Sequence, residues 1–358
     1  MNISYILQIC IGFIGLVLIA IPFSSNIKII NYKHILSAIF FQLFLAFILI
    51  KVPVITNLFS YLADAVAALQ IATGKGTEFV FGYLGGGTLP FDLAQKGSAL
   101  IFAFSILPFI IVMSSITAAL WYWGILPFVV NIFSKICQKL FNIGGPIGLG
   151  AAANVIVGQV EAPLLIRPYL SKLSNKELLI LMTAGMSTVA GSIMVALVSM
   201  LQIQFNDLNL IQHFLTASIL SVPAAILFAN ILMPSNEVTD FEGEDTPKIY
   251  ENTMDAITRG TRDGTDIAIG VGSILIVFIA LVYLVDSILG IFSIGNQSLS
   301  LQMILGYIFA PIAWLMGIPW DEAIVSGKLL GIKTALNEFV AYAELANLQD
   351  GLISDKTK

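Results

Sequence analysis

The sequence predicts an all-α polytopic membrane protein with about seven transmembrane helices and two re-entrant hairpins in an inverted-repeat transporter core. Of its 358 residues, 58% are hydrophobic and only 11% are charged, whereas a soluble domain is nearer a quarter charged. Apolar stretches of about 20 residues, long enough to cross a bilayer, recur along the chain. This composition excludes a soluble enzyme, a nucleic-acid-binding protein and a disordered scaffold.

Several stretches are apolar enough to cross the membrane as simple helices, because backbone polar groups have no water partner in hydrocarbon. They are Ile6–Phe23, Ile35–Val54, Leu100–Ile125, Leu178–Ile203, Phe214–Met233 and Ile267–Leu289. Near the C-terminus, Pro311, Gly317 and Pro319 interrupt a further apolar block. It is interpreted as a re-entrant hairpin at Leu301–Ile318 and a seventh span at Glu322–Leu345.

Other apolar stretches are poor candidates for simple spans. Pro127–Phe141 carries Lys135 and Lys139 and is predicted to be an amphipathic helix on the membrane surface. Gly144–Leu170 is rich in glycine and proline, which favours a broken hairpin buried in protein or lining a cavity. Tyr61–Gln95 contains several charges and is placed at the interface.

The resulting organisation has six segments. They are N-terminal scaffold helices 1–60; an interfacial segment, third span and amphipathic helix 61–143; a first hairpin and transport-core repeat 144–234; a cytoplasmic polar loop 235–264; a sixth span 265–300; and a second hairpin with the seventh span 301–358.

Lysine and arginine indicate the orientation. They concentrate in the loops after the first and fifth spans and beside the first hairpin, so these regions are predicted to be cytoplasmic and the N-terminus external. The first residues lack the basic region and cleavage site of a signal peptide. The expected location is the plasma membrane, in a bacterium the inner membrane.

Glu161 lies inside the first broken hairpin, close to Asn154 and Gln159. A carboxylate near the bilayer centre costs roughly 2.5–3.5 kcal/mol, so a cation, substrate or donor must offset that cost. The alternatives are that Glu161 reaches the interface or pairs with Arg167.

Glu338 is the second intramembrane carboxylate. Asn337 and Glu338 interrupt an otherwise apolar helix. A structural ion pair with Lys333 is one interpretation, and a functional counterpart of Glu161 is the other.

Thr188, Gly191 and Ser192 lie in the fourth span. Small hydroxylated residues there often serve helix packing. Alternatively, the helix unwinds and supplies oxygen ligands for Na⁺, together with Asn154. The sequence shows no nucleotide-binding motif, catalytic dyad or metal cluster, so it predicts a secondary transporter and not an enzyme. Coupling to H⁺ stays a variant.

Two glutamate motifs resemble those of concentrative nucleoside transporters. The first runs from Gly150 through Asn154 to Gly158-Gln159-Val160-Glu161-Ala162-Pro163-Leu164. The second runs from Gly327-Lys328-Leu329-Leu330-Gly331 to Asn337-Glu338-Phe339-Val340-Ala341-Tyr342. Glu78–Gly82 and Thr188–Ser192 are similar to the same family, and the resemblance covers about residues 5–345.

The resemblance implies a homotrimer in the bilayer that imports nucleosides with a cation by alternating access. It implies nucleobase contacts from Gln159, Val160 and Glu161, with apolar contact from Ile193. Glu338 would accept from the ribose hydroxyls, with Asn337 nearby. The implied Na⁺ ligands are Asn154, Val157, Thr188 and Val189.

Two features depart from the family pattern. Val160 stands where the family often has Thr or Ser, which removes a base-contacting hydroxyl. After Glu338 the family continues into a further span, whereas residues 349–358 are polar and short. The alternative function is therefore a truncated, non-transporting remnant or an assembly subunit of such a transporter.

Overall fold

The computed structural model describes residues 3–30, 32–92, 101–141, 143–155, 159, 162–163, 166–202, 205, 210–235, 249–294, 297–349, 351–354 and 356–357. In these ranges the regular structure is helical apart from a short hairpin of β1 (Ser293–Ile294) and β2 (Gln297–Ser298). Ser293 pairs with Ser298 in the antiparallel register.

The α-helices follow one another along the whole chain. Their bounds are α1 Ile3–Ala20, α2 Tyr32–Lys51, α3 Pro53–Phe81, α4 Phe102–Ser105, α5 Leu107–Tyr122, α6 Ile125–Phe141, α7 Gly145–Asn154, α8 Asn175–Ser187, α9 Gly191–Gln202, α10 Leu210–Leu232, α11 Thr253–Leu289, α12 Leu301–Leu315, α13 Trp320–Ala335 and α14 Glu338–Ala346. Short 3₁₀ turns occupy Ile21–Phe23, Ile27–Ile29, Gly82–Gly85 and Arg167–Lys172.

Three helical stretches of the described chain are long and apolar enough to cross a membrane: α4 with α5 (Phe102–Tyr122), α10 (Leu210–Leu232) and α11 (Thr253–Leu289). Shorter apolar helices lie over Leu7–Phe23 and Ile35–Lys51, where the first two spans are predicted. The predicted amphipathic segment is helix α6, with Lys135 and Lys139 exposed and Cys137 buried. The all-helical prediction is thus confirmed, and α3 shows that the segment assigned to the interface begins as one continuous helix.

The chain forms two compact units. The larger unit comprises Ile21–Ser199 and Asp207–Ala268. Its core is built where α6, α7, α8 and α10 contribute buried side chains such as Ile147, Ile180 and Ile226. Helix α7 is buried along almost its whole length, because glycine and alanine allow its neighbours to approach closely.

The start of α11 corrects the polar-loop prediction for Ser235–Gly264. The helix begins at Thr253, well before the apolar run. A Cβ on Gly260 would lie 2.8 Å from the Ala118 Cβ, and one on Gly264 would lie 2.7 Å from the Ile111 Cα. This small-residue face packs against α5, which stabilises a helix whose other face carries the charges that indicated a loop.

The smaller unit comprises Met1–Ala20, Met200–Asn206 and Ile269–Lys358. Helices α12 and α13 are bent by 117° where they meet. The amide of Gln8 in α1 donates to the carbonyls of Trp314 and Ile318, each at 2.9 Å. These bonds attach α1 to the segment between α12 and α13.

The predicted re-entrant hairpin Leu301–Ile318 is wrong, because Leu301–Leu315 is one continuous helix, α12. The predicted seventh span Glu322–Leu345 is wrong as a single helix. It is divided into α13 and α14, since Leu336 has φ −116° and ψ −94° and Asn337 is extended at φ −164°. The Asn337 side chain accepts from the Val340 amide at 3.0 Å and so begins a new helix. The residue that signals a polar site in the sequence is also the residue that restarts the helix.

Candidate functional site

Asn154 is the most unusual polar residue of the larger unit. It is the last residue of α7 and is completely buried, at 0% exposure. Its side-chain oxygen and nitrogen both lack a hydrogen-bond partner among the described residues. Leaving a buried polar group unsatisfied costs about 1–3 kcal/mol, so such a group needs a specific explanation. The free side-chain oxygen is therefore available to a ligand.

The fourth predicted span is interrupted beside Asn154. Helix α8 ends at Ser187, α9 begins at Gly191, and Thr188 between them is extended at φ −103° and ψ 160°. The Thr188 hydroxyl donates to the backbone carbonyl oxygens of Asn154, at 3.2 Å, and of Ala184, at 2.9 Å. A hydroxyl donates one hydrogen and keeps lone pairs, so Thr188 can also bind a cation.

A third segment, the turn that follows α7, approaches the same place. A Cβ on Gly185 would lie 2.8 Å from the Gln159 Cβ and 3.4 Å from the Asn154 side-chain oxygen. The Val189 amide donates to the hydroxyl of buried Ser218 at 3.1 Å, which fixes the interrupted segment against α10. The end of α7, the turn at Gln159 and the break after α8 therefore meet within one unit.

Replacing Gly185 by Ala should weaken this site, because the new methyl group must displace the turn at Gln159. We expect the free energy of unfolding to fall by about 1–3 kcal/mol, the typical cost of overpacking of this kind. The control is Gly270→Ala in α11, where an added Cβ meets nothing within 4 Å. Thermal unfolding of the two variants tests this, and equal Tm values would contradict the close approach.

The remaining residues predicted for the first half of the site are only partly described. Gln159 is exposed in its turn, and Ile193 lies half-buried in the first turn of α9. Val157, Val160 and Glu161 lie outside the described residues, as does the side chain of Arg167. Their predicted roles, and the alternative pairing of Glu161 with Arg167, stay predictions.

Asn337 and Glu338 lie in the smaller unit, at the turn between α13 and α14. Both side chains are half-buried. Within the described chain, the Glu338 carboxylate forms no ion pair, and Lys333 in α13 is exposed. The ion pair with Lys333 is therefore not formed, and the carboxylate is available to a ligand.

Sequence reasoning missed two kinds of residue in this region. Gly185 and Ser218 carry no local signal, because their role depends on neighbours distant in the chain. It also missed that Lys328, and not Lys333, forms an ion pair, which it makes with Glu344 at 3.3 Å.

Three family models match the chain. Residues 11–84 match the N-terminus of Na⁺-dependent nucleoside transporters, and residues 213–358 match their C-terminus. Residues 103–204, which include Asn154 and Thr188, match a model described as nucleoside recognition.

Two similar proteins are named as nucleoside transporters. The nucleoside permease NupC of Helicobacter pylori is 34% identical over 355 residues, which covers 97% of this chain and 82% of that protein. Sodium/nucleoside cotransporter 1 of Mus musculus is 32% identical over 294 residues, covering 80% of this chain and 42% of its own length.

The fold is similar to solved structures of the transporter CNTnw. In the inward-facing substrate-bound state the TM-score is 0.85 at 32% identity, over 98% of this chain and 84% of that chain. A variant in an outward-facing state gives a TM-score of 0.86 at 31% identity, over 99% and 84%. The chain therefore belongs to the concentrative nucleoside transporter family, whose members are membrane transporters and not enzymes.

Proposed function

We propose that the protein imports nucleosides across the plasma membrane together with Na⁺, by alternating access and as a homotrimer. The observation that carries the proposal is Asn154, whose buried side-chain oxygen and nitrogen have no partner in the described chain, beside the helix break at Thr188. Family membership supports nucleosides as the substrate class, and names of relatives such as sodium/nucleoside cotransporter 1 favour sodium.

The Na⁺ ions are co-transported with the substrate. We assign their ligands to the side chains of Asn154 and Thr188 and to the carbonyl groups of Val157 and Val189. Hard cations are bound by oxygen, and interrupted helices supply it from both side chains and backbone. The hydroxyl of Thr188 is already directed at the Asn154 segment, so few groups have to be reorganised on binding.

The nucleoside would be bound through polar and apolar side chains together. Gln159 and Glu161 hydrogen-bond the nucleobase, Val160 and Ile193 supply apolar contact, and Glu338 accepts from the ribose hydroxyls. Asn337 starts α14 and so fixes the backbone from which Glu338 projects. Two adjacent hydroxyls can donate to one carboxylate, and hydrogen bonds to a charged group contribute about 1.5–3 kcal/mol each.

The energy source is sufficient for accumulation. One Na⁺ moving inward across about 100 mV releases about 2.3 kcal/mol. That free energy corresponds to about a 50-fold concentration ratio of a neutral solute. A sodium concentration gradient adds to it.

The proposal is tested with labelled uridine in proteoliposomes, with and without an inward sodium gradient. We expect uridine to accumulate with sodium and not with potassium, and Glu161→Gln to reduce the initial rate at least about tenfold, because a neutral amide is a weaker acceptor. Equal uptake by the variant, or no uptake by the wild-type protein, would count against the proposal.

A further inference from the structure

Helices α13 and α14 form an antiparallel helical hairpin around the turn that carries Asn337 and Glu338. Ile332 in α13 packs against Val340 and Ala341 in α14, with Leu336 beside them. Lys328 and Glu344 form an ion pair further from the turn. The contacts 332–340 and 328–344 are both centred on residue 336, which is the pattern of two chain segments running back along each other.

The carboxylate of Glu344 joins three helices at one point. Lys328 of α13 donates to its Oε2 at 3.3 Å, and the amide of Gln302 in α12 donates to its Oε1 at 3.3 Å. Both carboxylate oxygens are therefore engaged. The exposed fractions of the Lys328 and Glu344 side chains are 31% and 36%.

This ion pair differs from an ordinary surface pair. Exposed pairs within one helix, such as Lys75 with Glu78, restrain little that the helix does not already restrain. Lys328 and Glu344 are 16 residues apart and belong to different helices. Since each arm of the hairpin ends at the turn, their ion pair limits how far the arms can slide or separate, and so limits where Glu338 can project.

We propose that Lys328 and Glu344 are positioning residues for nucleoside binding. Through their ion pair, supported by Gln302, they hold the α13–α14 turn so that Glu338 meets the ribose. This inference rests on the proposed function. It predicts that the sign of each charge can be exchanged between the two positions, because what matters is the attraction across the hairpin and not the identity of either side chain.

Charge reversal tests the proposal. Lys328→Glu and Glu344→Lys each place two like charges at the 3.3 Å contact, and the double variant restores opposite charges. We expect each single variant to raise the KM for uridine about tenfold, and the double variant to return it to within about threefold of the wild type. Glu344→Gln is a milder variant that keeps the size of the side chain and removes only its charge. The same exchange at Lys75 and Glu78 is the control and should leave KM unchanged.

A second substrate separates positioning from general damage. 2′,3′-Dideoxyuridine lacks the two adjacent ribose hydroxyls that would donate to Glu338. Its KM should therefore change less than about twofold in the single variants. Equal rises for both compounds, or a double variant no better than the single variants, would overturn the proposal.

Hydrogen–deuterium exchange in the purified full chain gives a readout that needs no transport. Amides of residues 336–345 should exchange at least about tenfold faster in Lys328→Glu than in the wild type, and the double variant should restore their protection. Unchanged exchange would refute the positioning role. Failure of wild-type uridine uptake would instead refute the proposed function, so the two failures are distinguishable.

Discussion

Glu338→Gln should lower uridine uptake at low substrate concentration about 100-fold. The variant keeps the size of the side chain but replaces the charged acceptor of two hydroxyl hydrogen bonds by a neutral amide. Such bonds contribute about 1.5–3 kcal/mol each, and about 2.7 kcal/mol corresponds to two powers of ten in transport efficiency. The carboxylate has no competing ion pair in the described chain, so its loss should act on the substrate directly.

The measurement compares uridine with its 2′-deoxy and 3′-deoxy analogues. The wild-type protein should discriminate strongly against each missing hydroxyl, whereas Glu338→Gln should transport all three with similar efficiency. Asp321→Asn is the matched control, because it removes a carboxylate charge from the exposed first turn of α13. If Glu338→Gln retained the wild-type discrimination, the ribose-binding role would be wrong.

Asn154→Leu should abolish the stabilisation of the protein by sodium without lowering its stability in sodium-free buffer. Replacing a buried, unpartnered amide by an apolar side chain of similar size removes an unsatisfied polar group, so the variant should be as stable as the wild type or more stable in sodium-free buffer. Sodium stabilises any state that binds it, by about 1.4 kcal/mol at ten times its Kd. The wild-type Tm should therefore rise with sodium, and the variant Tm should not.

Thermal unfolding in sodium chloride and in choline chloride checks this, together with the sodium dependence of uridine uptake. Thr188→Val removes a second oxygen and should shift sodium activation in the same direction, whereas Thr188→Ser keeps the hydroxyl and should behave almost as the wild type. A variant Asn154→Leu that lost stability without sodium and still responded to it would refute the site.

Local features of the fold were predictable because they depend on local chemistry. Long apolar runs have to be helical in hydrocarbon, and α2 and α10 lie where such runs occur. The break at Thr188 was one of two interpretations, since hydroxylated residues in a span serve both packing and unwinding. The sequence indicated that Asn337 and Glu338 interrupt an apolar helix, but it did not indicate that the interruption is a turn between two helices.

Features that depend on distant neighbours could not be predicted in this way. The charged start of α11 is helical because Gly260 and Gly264 pack against α5, a partner about 150 residues earlier in the chain. Lys333 is closer in sequence to Glu338 than Lys328 is to Glu344, yet only the second pair forms. The geometry of the α13–α14 turn decides which of the two ion pairs forms, and this geometry cannot be inferred from helical spacing alone.

Reciprocal coupling of the two fluxes in one proteoliposome preparation tests the central claim most directly. An inward sodium gradient should drive uridine inward, and an inward uridine gradient should drive labelled sodium inward, with both couplings lost together in Asn154→Leu. Uridine movement that neither drives sodium nor responds to it would contradict sodium-coupled import by this chain.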